Sequence, residues 1–199
     1  MYELKKLLKR HIEENLFKYI IVLLLFAGGI ISGFVFSGNV SAEISDGLQT
    51  EVGTFIEGFS EGDFNRSEIA KTSFLKTLRI TLLIFLSGLS VWLLPVSFAA
   101  LFSYGFSLGF TMGYLSSNFG TQGFGVGIVS VFFVFLINIP VYLILSVVAI
   151  NNRHKKRGRN SEGNLGLYSI IFAVLFLISL LSVVADTFFS PWVIGLICR

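Results

Sequence analysis

The sequence predicts an all-α membrane protein with about five transmembrane helices, and three observations carry that prediction. Of 199 residues, 54% are hydrophobic and only 14% charged, against about 25% charged in an ordinary soluble domain. Apolar runs recur along the chain at lengths suited to a hydrocarbon core, which takes roughly 17 to 25 helical residues to cross. The lysines and arginines gather mainly in two short blocks beside those runs. A net charge of +3 and a pI near 9.1 therefore express topology and not a nucleic-acid partner, because spans this apolar leave no soluble face to dock on a duplex.

The chain reads as one polytopic domain over 1–199. Residues 1–18 form a basic leader carrying Lys5, Lys6, Lys9, Arg10 and Lys18. The first apolar run, 19–36, is longer than the apolar region of a signal peptide, about 7 to 15 residues. It is read as a retained helix, although Val40-Ser41-Ala42 resembles a cleavage site. The segment 37–76 turns polar and acidic, with Glu43, Asp46, Glu51, Glu57, Glu61, Asp63 and Glu68. Within it Leu48, Val52, Phe55, Ile56 and Phe59 share one face of a short amphipathic helix, which Gly53, Gly58 and Gly62 weaken.

Three further spans occupy 77–150. The second, 78–94, ends at Pro95, and the third runs over 96–115. A polar link at 116–122 leads into the fourth, 124–150, where Asn138 and Pro140 interrupt the apolar run. A proline there frees a backbone carbonyl and predicts a kink. The loop 151–164 carries Arg153, Lys155, Lys156, Arg157 and Arg159. A fifth span, 165–189, ends in Ser190-Pro191-Trp192 and a short tail. Leader and basic loop hold ten of the fifteen basic residues. The positive-inside rule thus expects a cytoplasmic N-terminus, an extracytoplasmic 37–76 segment and an extracytoplasmic C-terminus.

The chemistry-bearing residues are few. Cys198 is the one cysteine, and His11 and His154 have no partners at ligand spacing; neither a metal nor another cofactor is expected. Serines are frequent, but no Gly-x-Ser-x-Gly elbow, phosphate loop or His-Glu-x-x-His occurs, so catalysis is not expected. Gly105, Gly109 and Gly113 recur every four residues, and Gly29 and Gly33 make a shorter version on the first span. Such rows let helix backbones approach, within one chain or in a homo-oligomer; glycine is also simply commoner in membrane helices. Asp186 is the acidic residue inside an apolar run, near Pro191 and Trp192, where it could be an interfacial carboxylate or bind a partner or ion. Arg79 could pair with it. The stripe Leu48–Phe59 could dock on a partner, lie on lipid, or cover the chain's own helix ends.

The run Phe85-Leu86-Ser87-Gly88-Leu89-Ser90-Val91-Trp92-Leu93-Leu94-Pro95, followed by Tyr104-Gly105-Phe106-Ser107-Leu108-Gly109-Phe110-Thr111-Met112-Gly113, resembles the core of the stage II sporulation protein M family. Ile137-Asn138-Ile139-Pro140-Val141 and Asp186-Thr187-Phe188-Phe189-Ser190-Pro191 resemble its fourth and fifth spans, and the overall layout is similar too. The resemblance implies a non-catalytic scaffold in the cell membrane, enriched at the sporulation septum. It would serve the machinery that degrades septal peptidoglycan during engulfment. Its implied partners are cell-wall hydrolases resembling stage II sporulation proteins D and P. A transporter or channel component is the alternative, suggested by the interrupted fourth span and by Asp186. An intramembrane enzyme would need a nucleophile and base that the chain does not pair.

Overall fold

The computed structural model describes residues 12–61, 65–157 and 165–197, and these are helical almost throughout, with no strand among them. The helices are α1 (Leu16–Ser37), α2 (Ala42–Glu61), α3 (Arg66–Ser87), α4 (Leu94–Arg157) and α5 (Leu165–Ile197), with a short 3-10 turn, Val91–Leu93, before α4. Inside α4 the backbone breaks at Gly120, φ 56° and ψ −135°, so α4 consists of a first limb, 94–119, and a second limb, 121–157. Packed pairs give the directions of the rods. Gly29 lies on Phe102 and Gly33 on Phe106, so α1 and the first limb run parallel. Gly123 returns onto Leu115, and Tyr142 packs on Tyr104, so the second limb is antiparallel to the first. Phe85 meets both Tyr168 and Phe172 near the end of α3 and the start of α5, and Ser73 near the start of α3 meets Asp186 late in α5. Those two helices are antiparallel as well. Five helical rods therefore traverse the bundle, and α2 caps one end of it.

Among the described residues four segments are long and apolar enough to cross a membrane: Leu16–Ser37, Leu94–Thr121, Phe135–Asn152 and Leu165–Ile194. The fifth rod, α3, lies alongside them but carries Arg66, Glu68, Lys71, Lys76 and Arg79. It begins at Arg66 and not at Leu78. Asn65 caps it by accepting a hydrogen bond from the Ser67 amide, 3.1 Å, and Glu68 sits in the positive first turn. The apolar run alone hides this start, because the helix opens with polar residues.

Other elements also depart from expectation. α2 spans 20 residues and is not short: Thr50 and Thr54 bond back to the carbonyls of Asp46 and Thr50, and docking on the bundle offsets the glycine cost. In place of a polar link at 116–122, the first limb stays helical to Phe119 and turns at Gly120 alone. The break in α4 is at Gly120, and Pro140 lies within the second limb. α5 continues through Pro191 to Ile197. Pro95 falls in the first turn of α4, where its missing N–H removes no helical bond.

The main core gathers Val22, Phe26, Ile84, Leu101, Tyr104, Tyr142, Leu145 and Phe172. Outside it, α1 and α5 turn leucine, isoleucine and phenylalanine outward, among them Leu24, Ile31, Ile170 and Leu177. Apolar groups cover both the inside and the circumference, the pattern expected where lipid is the solvent. Trp92, 90% exposed, and Trp192, 68% exposed, stand near opposite ends of the bundle, as interfacial aromatics do.

Candidate functional site

Three structures arise from the sequence features singled out above: a glycine seam, a polar centre, and a platform at one end. The seam joins α1 to the first limb of α4. A Cβ added at Gly29 or Gly33 would overlap the carbonyls of Phe102 and Phe106; one at Gly105 or Gly109 would overlap those of Phe26 and Ile30, and one at Gly113 would meet the Ser37 hydroxyl. All five glycines thus face this one intramolecular contact, in which each backbone lies against the other with no side chain between. Phe36 seals its edge against Phe106, ring centroids 5.6 Å apart.

The polar centre lies between α3, both limbs of α4, and α5. Asn138 is buried, accepts a hydrogen bond from Ser182 Oγ at 3.0 Å, and donates from Nδ2 to Tyr104 Oη at 3.5 Å. The Tyr142 ring meets Tyr104 edge-on, and its hydroxyl sits beside Thr77 and Thr81. Toward the α2 end Asp186 accepts from Ser73 Oγ at 3.2 Å. Lys76 comes within electrostatic reach of that carboxylate, and its ammonium stands 5.5 Å from the centre of the Tyr104 ring. Asp186 is therefore bonded to Ser73, with Lys76 as the cation that acts on it electrostatically, while Arg79 is exposed on α3. Sequence reading assigned Lys76 to the polar segment and missed it. The signal was present in Asn65-Arg66-Ser67-Glu68, a capping box that starts a helix early enough to put Lys76 at its middle.

At the platform, Tyr114 Oη donates to the Ser45 carbonyl at 2.7 Å and ties α2 to the first limb. Val52 packs against a small cluster of Leu115, Val126 and Ile194. Leu48 is half-buried. For Val52, then, the cover of the apolar stripe is the chain's own helix ends. The side chains of Phe55, Ile56 and Phe59 lie outside what the structure describes.

The opposite end is closed by side chain to backbone bonds. Asn152 donates to the Gly88 carbonyl at 3.1 Å, and Tyr168 Oη donates to that of Phe85 at 2.7 Å. Lys18 bonds Asn151, which places the start of α1 beside the end of α4. The two basic blocks therefore adjoin the same end of the bundle, with α2 at the other. Residues 1–11, 158–164 and 198–199, including His11, Arg159 and Cys198, lie outside the described residues. Among the described residues no three His, Cys, Asp or Glu side chains converge on a metal position.

The family model for stage II sporulation protein M matches residues 22–191. The chain belongs to the stage II sporulation protein M family. That match takes in the glycine seam, α2, the polar centre and Pro191. No curated protein and no solved structure matches the chain. Membership makes this a sporulation-related membrane protein, and its apolar helices make it multi-pass.

Proposed function

We propose that this family member is a non-catalytic scaffold of the cell membrane that recruits extracytoplasmic cell-wall hydrolases, resembling stage II sporulation proteins D and P, to the septum during engulfment. The observation that carries the reading is the bracing of α2. A 20-residue amphipathic helix held across the end of the bundle by Tyr114 and Val52 is a fixed surface at the end remote from both basic blocks. With those blocks cytoplasmic, α2 faces the cell wall. A scaffold needs such a surface and no active site.

Because Val52 serves the chain's own packing, the docking surface is the remainder of the helix, with Phe55, Ile56 and Phe59 as its proposed anchors; Asp46 and Glu51 are exposed on the same helix. Replacing Phe55 and Phe59 together by serine should leave membrane insertion unchanged, because the apolar spans carry its energetics. Hydrolase co-purification and septal localisation should fall to background. Normal recruitment and engulfment in cells expressing the double variant at wild-type level would reject this surface.

A further inference from the structure

α3 and the first limb of α4 do not close on each other along their outer side. Between them lies an open groove of about 370 Å³. Its floor carries Ala99, Ser103 and Ser107, spaced four apart, with Ile80 on the facing wall. Lys76 and Tyr104 also line it. The row Ala99, Ser103, Ser107 is distinct from the glycine row that α1 already covers.

Lys76 sits at the middle of α3, and the Tyr104 ring beside it packs on Phe26, the middle of α1. A lysine or arginine at such depth costs about 2.5 to 3.5 kcal/mol when it faces hydrocarbon. Lys76 and Arg79 are both exposed on this helix, within one turn of each other. Asp186 is the one carboxylate at that level, and among the described residues none lies within ion-pair distance of Lys76. Lys76 is thus the one charged side chain that lines the groove among the described residues, and it has no carboxylate at ion-pair distance there.

We infer that the groove between α3 and the first limb of α4 receives one transmembrane helix of a different protein, bearing a carboxylate near mid-span that pairs with Lys76. The small side chains at 99, 103 and 107 let a helix backbone approach closely, and the carboxylate supplies the missing negative charge. A second copy of this chain does not fit: its spans offer Asp186 alone, and that group is already bonded to Ser73. An anionic lipid fits less well, because Lys76 turns inward over Tyr104 instead of reaching along α3 to the headgroup layer where the phosphates are.

The inference deepens the scaffold reading by adding an attachment point within the membrane, and its test is independent of recruitment through α2. The full-length protein in phosphatidylcholine vesicles is titrated with a fluorescent polyleucine helix carrying a central glutamate, glutamine or lysine, and association is read by energy transfer. The glutamate helix should bind at least tenfold more tightly than the glutamine helix, and Lys76→Gln should remove the difference. Lys76→Glu should reverse the preference in favour of the lysine helix, a gain that misfolding cannot produce. Ser103→Leu should block binding, while Ser103→Ala should not. Equal binding of all three helices would overturn the inference. So would loss of self-association in Ser103→Leu, which marks a second copy as occupant, or binding abolished by adding phosphatidylglycerol, which marks a lipid.

Discussion

Asn138 joins three helical rods through one amide, and the strengths of its two bonds differ. The 3.0 Å bond from Ser182 ties α5 to the second limb, while the 3.5 Å contact with Tyr104 is at the long limit of a hydrogen bond. Interhelical hydrogen bonds in membranes contribute about 0.6 kcal/mol on average and up to about 1.7. Asn138→Leu should therefore destabilise the bundle by about 1 to 2 kcal/mol in equilibrium unfolding in bicelles, and Tyr104→Phe by less than about 0.5. The reverse order would mean that the Tyr104 contact dominates. Gly120 is a second residue-scale determinant. Its φ of 56° with ψ of −135° lies outside the regions open to L side chains, yet nothing stands within 4 Å of an added Cβ. Gly120→Ala should then cost about 1 to 3 kcal/mol through the backbone alone. Stability equal to wild type in the same unfolding measurement would contradict a strained turn there.

At the scale of elements, the contact of α1 with the first limb depends on absent side chains. Gly109→Leu should separate these helices, because its Cβ alone already overlaps the Ile30 carbonyl. The expected cost exceeds the 1 to 3 kcal/mol typical of overpacking, about that range being reached when flexible side chains can yield and backbone cannot. Gly28→Leu on the same α1 is the control, since open space surrounds that position. Membrane accumulation should drop for the first variant and hold for the second; equal accumulation would mean that the seam contributes nothing. The glycine rows were legible in the sequence, because a repeat of four residues places glycines on one helix face whatever the rest of the fold does, but that the two rows pack on each other within one chain was not. The polar centre was legible only in part. Asn138 and Asp186 stand out against apolar neighbours, but Lys76 does not, since it precedes the apolar run by two residues and looks like part of the polar segment. Hydropathy reads only the apolar half of α3, and the capping residues that set its true start carry no hydropathy signal. The turn at Gly120 was hidden differently: several polar residues flank it, and composition does not say which one leaves the helical region.

For the whole molecule, the sequence yields the all-helical class and several helices apolar enough to cross a membrane. It leaves the length and docking of α2 unread, because these depend on contacts such as Tyr114 with Ser45 and Val52 with Leu115, Val126 and Ile194. Their partners are distant in sequence, and no periodicity links them. The scaffold account requires one arrangement of these parts across the membrane: basic segments in the cytoplasm and α2 on the wall side. Cysteine labelling tests it directly. In a Cys198→Ser background, a cysteine at Thr50, on the exposed face of α2, should react with a membrane-impermeant maleimide in intact cells. A cysteine at Lys156, at the far end of α4, should react only after permeabilisation. Labelling at position 156 in intact cells, with position 50 protected until they are opened, would contradict the account.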